Sequence, residues 1–208
     1  LSKNIKAQLD VALDFCPKDD AGQRALQRVA DQIAVNSNSN FNIKVSGIKT
    51  PMVNAFAMPA GQIYVTSGLI KDADDGEELV AVMAHEIAHV ENRDVLVSLY
   101  QAMGAGLVFD AVVGGGSGAG QQVVMLGANL SNLKNSRALE AHADSRGLEL
   151  LEKANIDGRG MSRFFEKLNK EEADAKVFAF GKDKEEKANK IDEIGEFLSS
   201  HPNSEKRA

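Results

Sequence analysis

Five residues, His85-Glu86-Ile87-Ala88-His89, constrain this chain more than any other segment, because they call for a helix that is buried and polar at once. Residues four apart on an α-helix share a face, so both imidazoles reach one metal ion when this segment is helical. Glu86 stands beside the first of them, where its carboxylate meets a metal-bound water rather than the metal. The flanks are not those of a surface helix. Leu79, Val82, Met83, Ala84, Ile87 and Val90 pack the segment Glu77 to Asn92 into a core. A buried helix with two histidines and a glutamate needs partners for them, and a metal ion supplies one.

The rest of the composition narrows the class. A chain of 208 residues, 43% hydrophobic and 26% charged, suits one globular domain with a real core. The net charge of -6, with no basic cluster, argues against nucleic acid as a partner. The single cysteine, Cys16, excludes an internal disulfide and a cysteine-based zinc knuckle, and reads as a small buried hydrophobe. The chain opens on Leu1 rather than on a methionine, so an upstream segment is expected to have been removed. The longest apolar run, Val95 to Val113, contains Asp110, whose burial in a bilayer would cost about 3 kcal/mol, so a membrane span is disfavoured.

Along the chain, Leu1 to Val35 reads as two amphipathic helices broken at Pro17, the second with Leu26, Val29, Ala30 and Ile33 on its apolar face. Three short strands follow, Phe41 to Val45, Met52 to Ala57 and Gln62 to Thr66, with Gly47, Pro51, Pro59 and Gly61 between them. Ser67 to Asp72 reads as a short helix ahead of the histidine helix. The tract Gly114 to Gly120 fits no phosphate loop and is either a flexible hairpin between helices or a mobile lid. Arg137 to Lys153 reads as a helix with apolar positions Leu139, Ala143, Leu148 and Leu151. Asp157 to Lys170 reads as another, packing Met161, Phe164, Phe165 and Leu168, and Lys182 to Lys190 is a charge run on a solvated face or loop. The expected architecture is α+β, a single mostly helical domain over 1–208. It has a helical part at 1–35, a small three-stranded sheet within 41–66 and catalytic helices over 77–208.

Two histidines do not complete a catalytic zinc site; a third protein ligand must leave a position for water. A histidine in the pattern His-x-x-Gly-x-x-His is excluded, because Asn92 and Val95 stand at those places. A glutamate from a later helix is the other option. Glu140 and Asp144, four apart in Ser136-Arg137-Ala138-Leu139-Glu140-Ala141-His142-Ala143-Asp144, share a face, so one can bind metal while the other hydrogen-bonds a ligand imidazole. His142 points about 200° around the helix from Glu140 and reads as solvated. Glu91 and Asp94 are too near His89 on its own helix to complete a tetrahedron easily.

These segments resemble the gluzincin metallopeptidases of the HtpX and CAAX-prenyl-endopeptidase family, in particular its soluble bacterial cell-envelope members. Four stretches carry the resemblance: the run from Asn54 to Leu69, the zinc helix His85 to His89, Ser136-Arg137 with Glu140 to Asp144, and His201-Pro202 with Arg207. They cover the chain from about Asn54 onward. The resemblance implies Glu140 as third ligand and Asp144 as its helper, and a compact zincin-like fold whose sheet edge holds substrate. Membrane-embedded relatives carry spanning helices, some of them between the two metal motifs; here that region is short and broken by glycines.

The expected chemistry is hydrolysis of peptide bonds by one Zn²⁺ per chain, held by His85, His89 and Glu140. Glu86 would act as general base on the metal-activated water. An extended peptide would pair with an edge strand at Asn54, Ala55 and Phe56, although Asn54 also reads as an ordinary turn residue. His201 has three readings: a donor to the tetrahedral oxyanion, a cap on the zinc, or a loop histidine at a helix start. The competing class is a zinc-stabilised binding protein or chaperone, against which the intact Glu86 speaks. Partners are protein or peptide substrates, with peripheral membrane association left open. The expected compartment is the periplasm or cell envelope, on the resemblance and the missing start methionine.

Overall fold

The computed structural model describes residues 13–98 and 137–178 together with Phe197 and His201. The glycine tract at 114–120, most of the apolar run, the charge run at 182–190, Pro202 and Arg207 lie outside the described residues. Within them the chain is α+β and mostly helical, with one three-stranded mixed sheet.

Helix α1 spans Ala21–Ala34, and the Asp20 side chain caps it by accepting from the Gly22 and Gln23 amides. Leu26, Ala30 and Ile33 bury its apolar stripe, as their spacing requires. Of the helix expected before it, residues 1–12 lie outside the described residues, and the last four are not helical. Residues 13–16 run extended beside the sheet, with Phe15 bridging Ile48, because Pro17 and the Asp20 cap start the helix at Ala21.

Strands β1 (Lys44–Ile48), β2 (Ala55–Met58) and β3 (Gln62–Thr66) pair in the order β1-β3-β2, β1 parallel to β3 and β2 antiparallel to it. The third strand has the expected bounds, the first lies three residues later than expected, and the second starts three residues later and ends one residue later. Gly47 reads as punctuation but sits inside β1, where a Cβ would come 3.0 Å from Cys16 Sγ. The β2–β3 turn needs its glycine: Gly61 has φ +83°, and a Cβ there would lie 2.8 Å from the Asn42 carbonyl oxygen.

The outer edge of β1 is closed by side chains of α1. Gln27 donates to the Ile43 carbonyl at 3.0 Å and accepts from the Val45 amide at 3.0 Å. Gln23 donates to the Val45 carbonyl at 2.7 Å and accepts from the Gly47 amide at 2.8 Å. Farther along, the Cys16 amide donates to the Gly47 carbonyl at 2.9 Å and the Lys49 amide to the Asp14 carbonyl at 2.7 Å. Among the described residues no strand pairs with the outer edge of β2.

Helix α2 (Ser67–Asp72) leads into α3 (Gly76–Asn92), which the Asp75 carboxylate caps. Every residue from Ala81 to Val90 is buried, so α3 is the central helix, enclosed by α1, the sheet and two later helices. Those are α4 (Arg137–Lys153) and α5 (Arg159–Phe178). On α4 the inward face is Glu140, Ala143, Gly147, Leu150 and Leu151; Leu148, expected inside, is 43% exposed. On α5 Met161, Phe164, Phe165 and Leu168 are buried as expected. That helix begins later than expected, with the Asp157 carboxylate accepting from the Arg159 amide at 2.9 Å.

Candidate metal centre

Glycines let the helices around α3 approach it. A Cβ at Gly147 on α4 would lie 3.2 Å from the His85 amide nitrogen and 3.3 Å from the Ala84 carbonyl carbon. A Cβ at Gly160 on α5 would lie 2.4 Å from the Glu77 carbonyl oxygen. Charge then sets the register. Arg146 on α4 donates to both oxygens of Glu91 on α3, at 2.9 and 3.2 Å, and Glu91 also accepts from the Ser37 hydroxyl at 2.8 Å. Lys167 on α5 holds the buried Glu78 carboxylate at 3.1 Å near the start of α3.

Four polar side chains come together inside the protein, His201 from beyond these helices. One donor atom each from His85, His89, Glu140 and His201 lies within 4.8 Å of all the others, and all four residues are buried. The His85 Nε2 and His89 Nε2 atoms are 2.9 Å apart. Glu140 reaches both rings, with Oε2 3.5 Å from His85 Nε2 and Oε1 3.4 Å from His89 Nε2. His201 Nδ1 lies 3.1 Å from Glu140 Oε2 and 3.3 Å from His85 Nε2, and its Nε2 lies 3.4 Å from Glu86 Oε1.

The far nitrogens of the two helix histidines face carboxylates. His85 Nδ1 is 2.9 Å from Asp144 Oδ1, and His89 Nδ1 is 2.7 Å from Asp94 Oδ2. A carboxylate accepts, so each Nδ1 carries a hydrogen and each neutral ring turns a lone pair outward at Nε2. Two such lone pairs 2.9 Å apart repel unless a cation lies between them, either a proton or a metal ion. Electrostatics agree. Burial opposes the charged form of His89, but hydrogen bonds with Asp94 and Glu140 and the charge of Glu86 outweigh it and lift its pKa to about 10. Burial likewise opposes the Glu140 anion, yet the charge and hydrogen bond of His201 and the bonds to His85 and His89 hold its carboxyl far below the usual carboxylate range. The donor set therefore fits a divalent cation.

Residues 20–208 match the profile of peptidase family M48. The chain belongs to that family. It is also 33% identical over 175 residues to the metalloprotease LoiP of Escherichia coli, an alignment covering 82% of this chain and 68% of LoiP. It is 30% identical over 165 residues to the mitochondrial metalloendopeptidase OMA1 of Arabidopsis thaliana, covering 77% of this chain and 29% of the relative. A putative β-barrel assembly-enhancing protease of Vibrio cholerae is 34% identical over 159 residues, covering 67% of this chain and 33% of the relative. The chain thus spans about two thirds of LoiP and about a third of the other two.

As an M48 metalloendopeptidase the chain carries the His/His/Glu cluster that its two helical motifs outline. Glu86 is buried beside the cluster, and His142 is exposed and faces Asn92 at 2.9 Å. His201 sits within the cluster, packed on Phe197 with ring centroids 4.6 Å apart. Asn54, Ala55 and Phe56 lie at and just before the open edge strand β2. Asp94, set aside as a ligand because it stands so near His89, partners His89 through its far nitrogen, a role that spacing alone does not reveal. No helix among the described residues is long and apolar enough to cross a membrane.

Proposed function

We propose that this chain is a zinc-dependent endopeptidase in which His85, His89 and Glu140 hold one Zn²⁺ and Glu86 is the general base. The observation that carries the reading is the pair of Nε2 atoms facing each other at 2.9 Å while both far nitrogens are tied to carboxylates. Imidazole and carboxylate donors in a four-coordinate set suit zinc. When bound, zinc lowers the pKa of a coordinated water to about 7 and polarises the scissile carbonyl. Glu86, 1% exposed, takes the proton of the attacking water and passes it to the leaving amine. Asp144 holds the His85 ring in the tautomer that presents Nε2.

His201 is the fourth donor in the described arrangement. That placement favours the capping reading over the oxyanion one, since a ring at a ligand position occupies the place a water needs. Substrate enters as an extended strand on β2, with main-chain hydrogen bonds at Ala55, since Asn54 and Phe56 turn theirs toward β3. This mode suits unfolded or extended protein rather than a tight consensus. One apolar cluster draws on α1, the sheet, α3, α4, α5 and Phe197, which supports a single peptidase domain over 1–208. The four quoted motifs support the HtpX and CAAX-prenyl-endopeptidase type. A relative named for β-barrel assembly supports a place in the cell envelope, because such barrels span bacterial outer membranes.

The test is digestion of a denatured protein by the zinc-loaded chain, as wild type and as His201→Ala, each with and without Glu86→Gln, products being read by mass spectrometry. Cleavage in at least one Glu86 background that disappears in its Glu86→Gln partner is the expected result. Zinc-loaded protein that cleaves in neither background, or cleavage that survives Glu86→Gln, overturns the proposal.

A further inference from the structure

Helix α3 ends in a way that brings an acid back onto one of its own histidines. On an uninterrupted helix, residues five apart are separated by about 140° around the axis and cannot meet. Asp94 stands five residues after His89, yet its Oδ2 lies 2.7 Å from His89 Nδ1. The contact exists because the helix stops at Arg93, whose backbone is left-handed with φ 61° and ψ 30°. The chain turns there, and a new helical turn at 94–98 starts with Asp94 folded under His89. A left-handed arginine carries a cost of about 1 kcal/mol that glycine would not. It is held by its own amide, which bonds the Val90 carbonyl at 3.2 Å, and by its guanidinium over the Phe41 ring at 5.9 Å.

The Asp94 residue is 2% exposed, and an anion so placed needs a donor. His89 Nδ1–H supplies it. The two carboxylates then perform the same task from opposite sides: Asp144 reaches His85 from α4, and Asp94 reaches His89 from beyond the helix end. We propose that Asp94 is a positioning residue, which fixes His89 in the Nδ1–H tautomer so that Nε2 presents its lone pair to the metal, and that the left-handed turn at Arg93 exists to deliver it. A helical histidine has two nitrogens that compete for the metal, and a carboxylate on one of them removes the competition and raises the basicity of the other. This inference rests on His89 being a ligand, so the experiment separates the two ideas.

Zinc affinity is measured by competitive chelator titration on the folded chain as wild type, His89→Ala, Asp94→Ala, Asp94→Asn, Arg93→Gly and Arg93→Val. Nitrogen-15 NMR of the histidine rings of the zinc-loaded chain reads which His89 nitrogen carries the proton. Asp94→Ala is expected to weaken zinc binding by about 10- to 100-fold and to mix the His89 tautomers. Asp94→Asn, which keeps an oxygen acceptor, should recover part of the affinity while shifting the Nδ1–H proton upfield. Arg93→Gly keeps the turn and should bind as wild type, whereas Arg93→Val opposes the left-handed backbone and should resemble Asp94→Ala. Wild-type affinity and an unmixed tautomer in Asp94→Ala overturn the role. If Asp94→Ala does not fold, an unmoved His89 Nδ1–H resonance in Asp94→Asn overturns it instead. Wild-type affinity in His89→Ala overturns the ligand assignment itself, whatever Asp94 does.

Discussion

Arg146 and Glu91 form a two-pronged ion pair between the helix that carries Glu140 and the helix that carries His85 and His89, with Nε–Oε1 and Nη2–Oε2 distances of 2.9 and 3.2 Å. Each side chain is only 11% exposed, so the pair is shielded from water more than a surface bridge is. Arg146 stands two residues from Asp144, the partner of His85, and Glu91 stands two residues from His89.

Removing one member should therefore loosen the site as well as the fold. Among the described residues, Arg146→Ala leaves the Glu91 carboxylate with Ser37 and the Asn38 amide, and a loss of about 1–2 kcal/mol in stability is expected. Urea denaturation with and without zinc checks this. The difference between variant and wild type should also depend on pH. Burial opposes the Glu91 anion, but Arg146, Ser37 and Asn38 overcome it and hold the pKa below its ordinary value. A lowered folded pKa gives stability that is complete above the unfolded pKa of about 4.3 and lost as pH falls through the folded value. The wild-type advantage should accordingly shrink on acidification, and an advantage that grew instead would contradict the pairing.

Gly147→Ala tests the helix contact directly. The added methyl would meet the α3 backbone at 3.2 and 3.3 Å, so α4 must move out by a few tenths of an ångström. Helix propensity favours the alanine by about 1 kcal/mol, and overpacking disfavours it by about 1–3 kcal/mol. A lower melting temperature and weaker zinc binding are expected, because the displaced helix carries Glu140 and Asp144. A more stable variant with unchanged affinity would refute the packing argument.

Glu140 and Asp144 should fail in different ways. Glu140→Ala removes a charged ligand and is expected to abolish zinc retention. Asp144→Asn disturbs only the orientation of His85 and should weaken affinity by about 10- to 100-fold. Chelator titration ranks the two, and the reverse order would exchange their roles.

At the proposed site a zinc ion would compete with a proton. With its pKa raised to about 10, metal-free His89 holds a proton at neutral pH, so binding should release it and affinity should climb about tenfold per pH unit between pH 7 and 9. Isothermal titration calorimetry in buffers of different ionisation enthalpy counts the proton; a count of zero at pH 8 would contradict the raised pKa.

If His201 caps the metal, His201→Ala should raise peptidase turnover on denatured protein while lowering zinc affinity. An oxyanion donor would instead lose turnover by about 100-fold with affinity kept.

The sequence shows what repeats along one element and hides what crosses between elements. His85, Glu86 and His89 share one helix, as do Glu140 and Asp144, so a period of four residues is enough to find them. Helix α4 has its expected bounds, and yet its inward face was misjudged at Leu148, because Gly147 packs by what it lacks. The contact of Asp94 with His89 is hidden in the sequence because the helix break is made by an arginine, where glycine or asparagine is the usual sign. His201 lies 116 residues from His85, and no periodicity links them; only the resemblance pointed to it.

The two glutamines that close β1 give α1 a task that its packing alone does not suggest. Their amides take the places that a neighbouring strand would fill along Ile43, Val45 and Gly47. If α1 frays, it uncovers a row of backbone donors and acceptors in an extended strand, the template on which chains stack edge to edge. The helix of fourteen residues therefore covers a strand edge, and a variant that frays it should aggregate more readily than one destabilised elsewhere to the same degree.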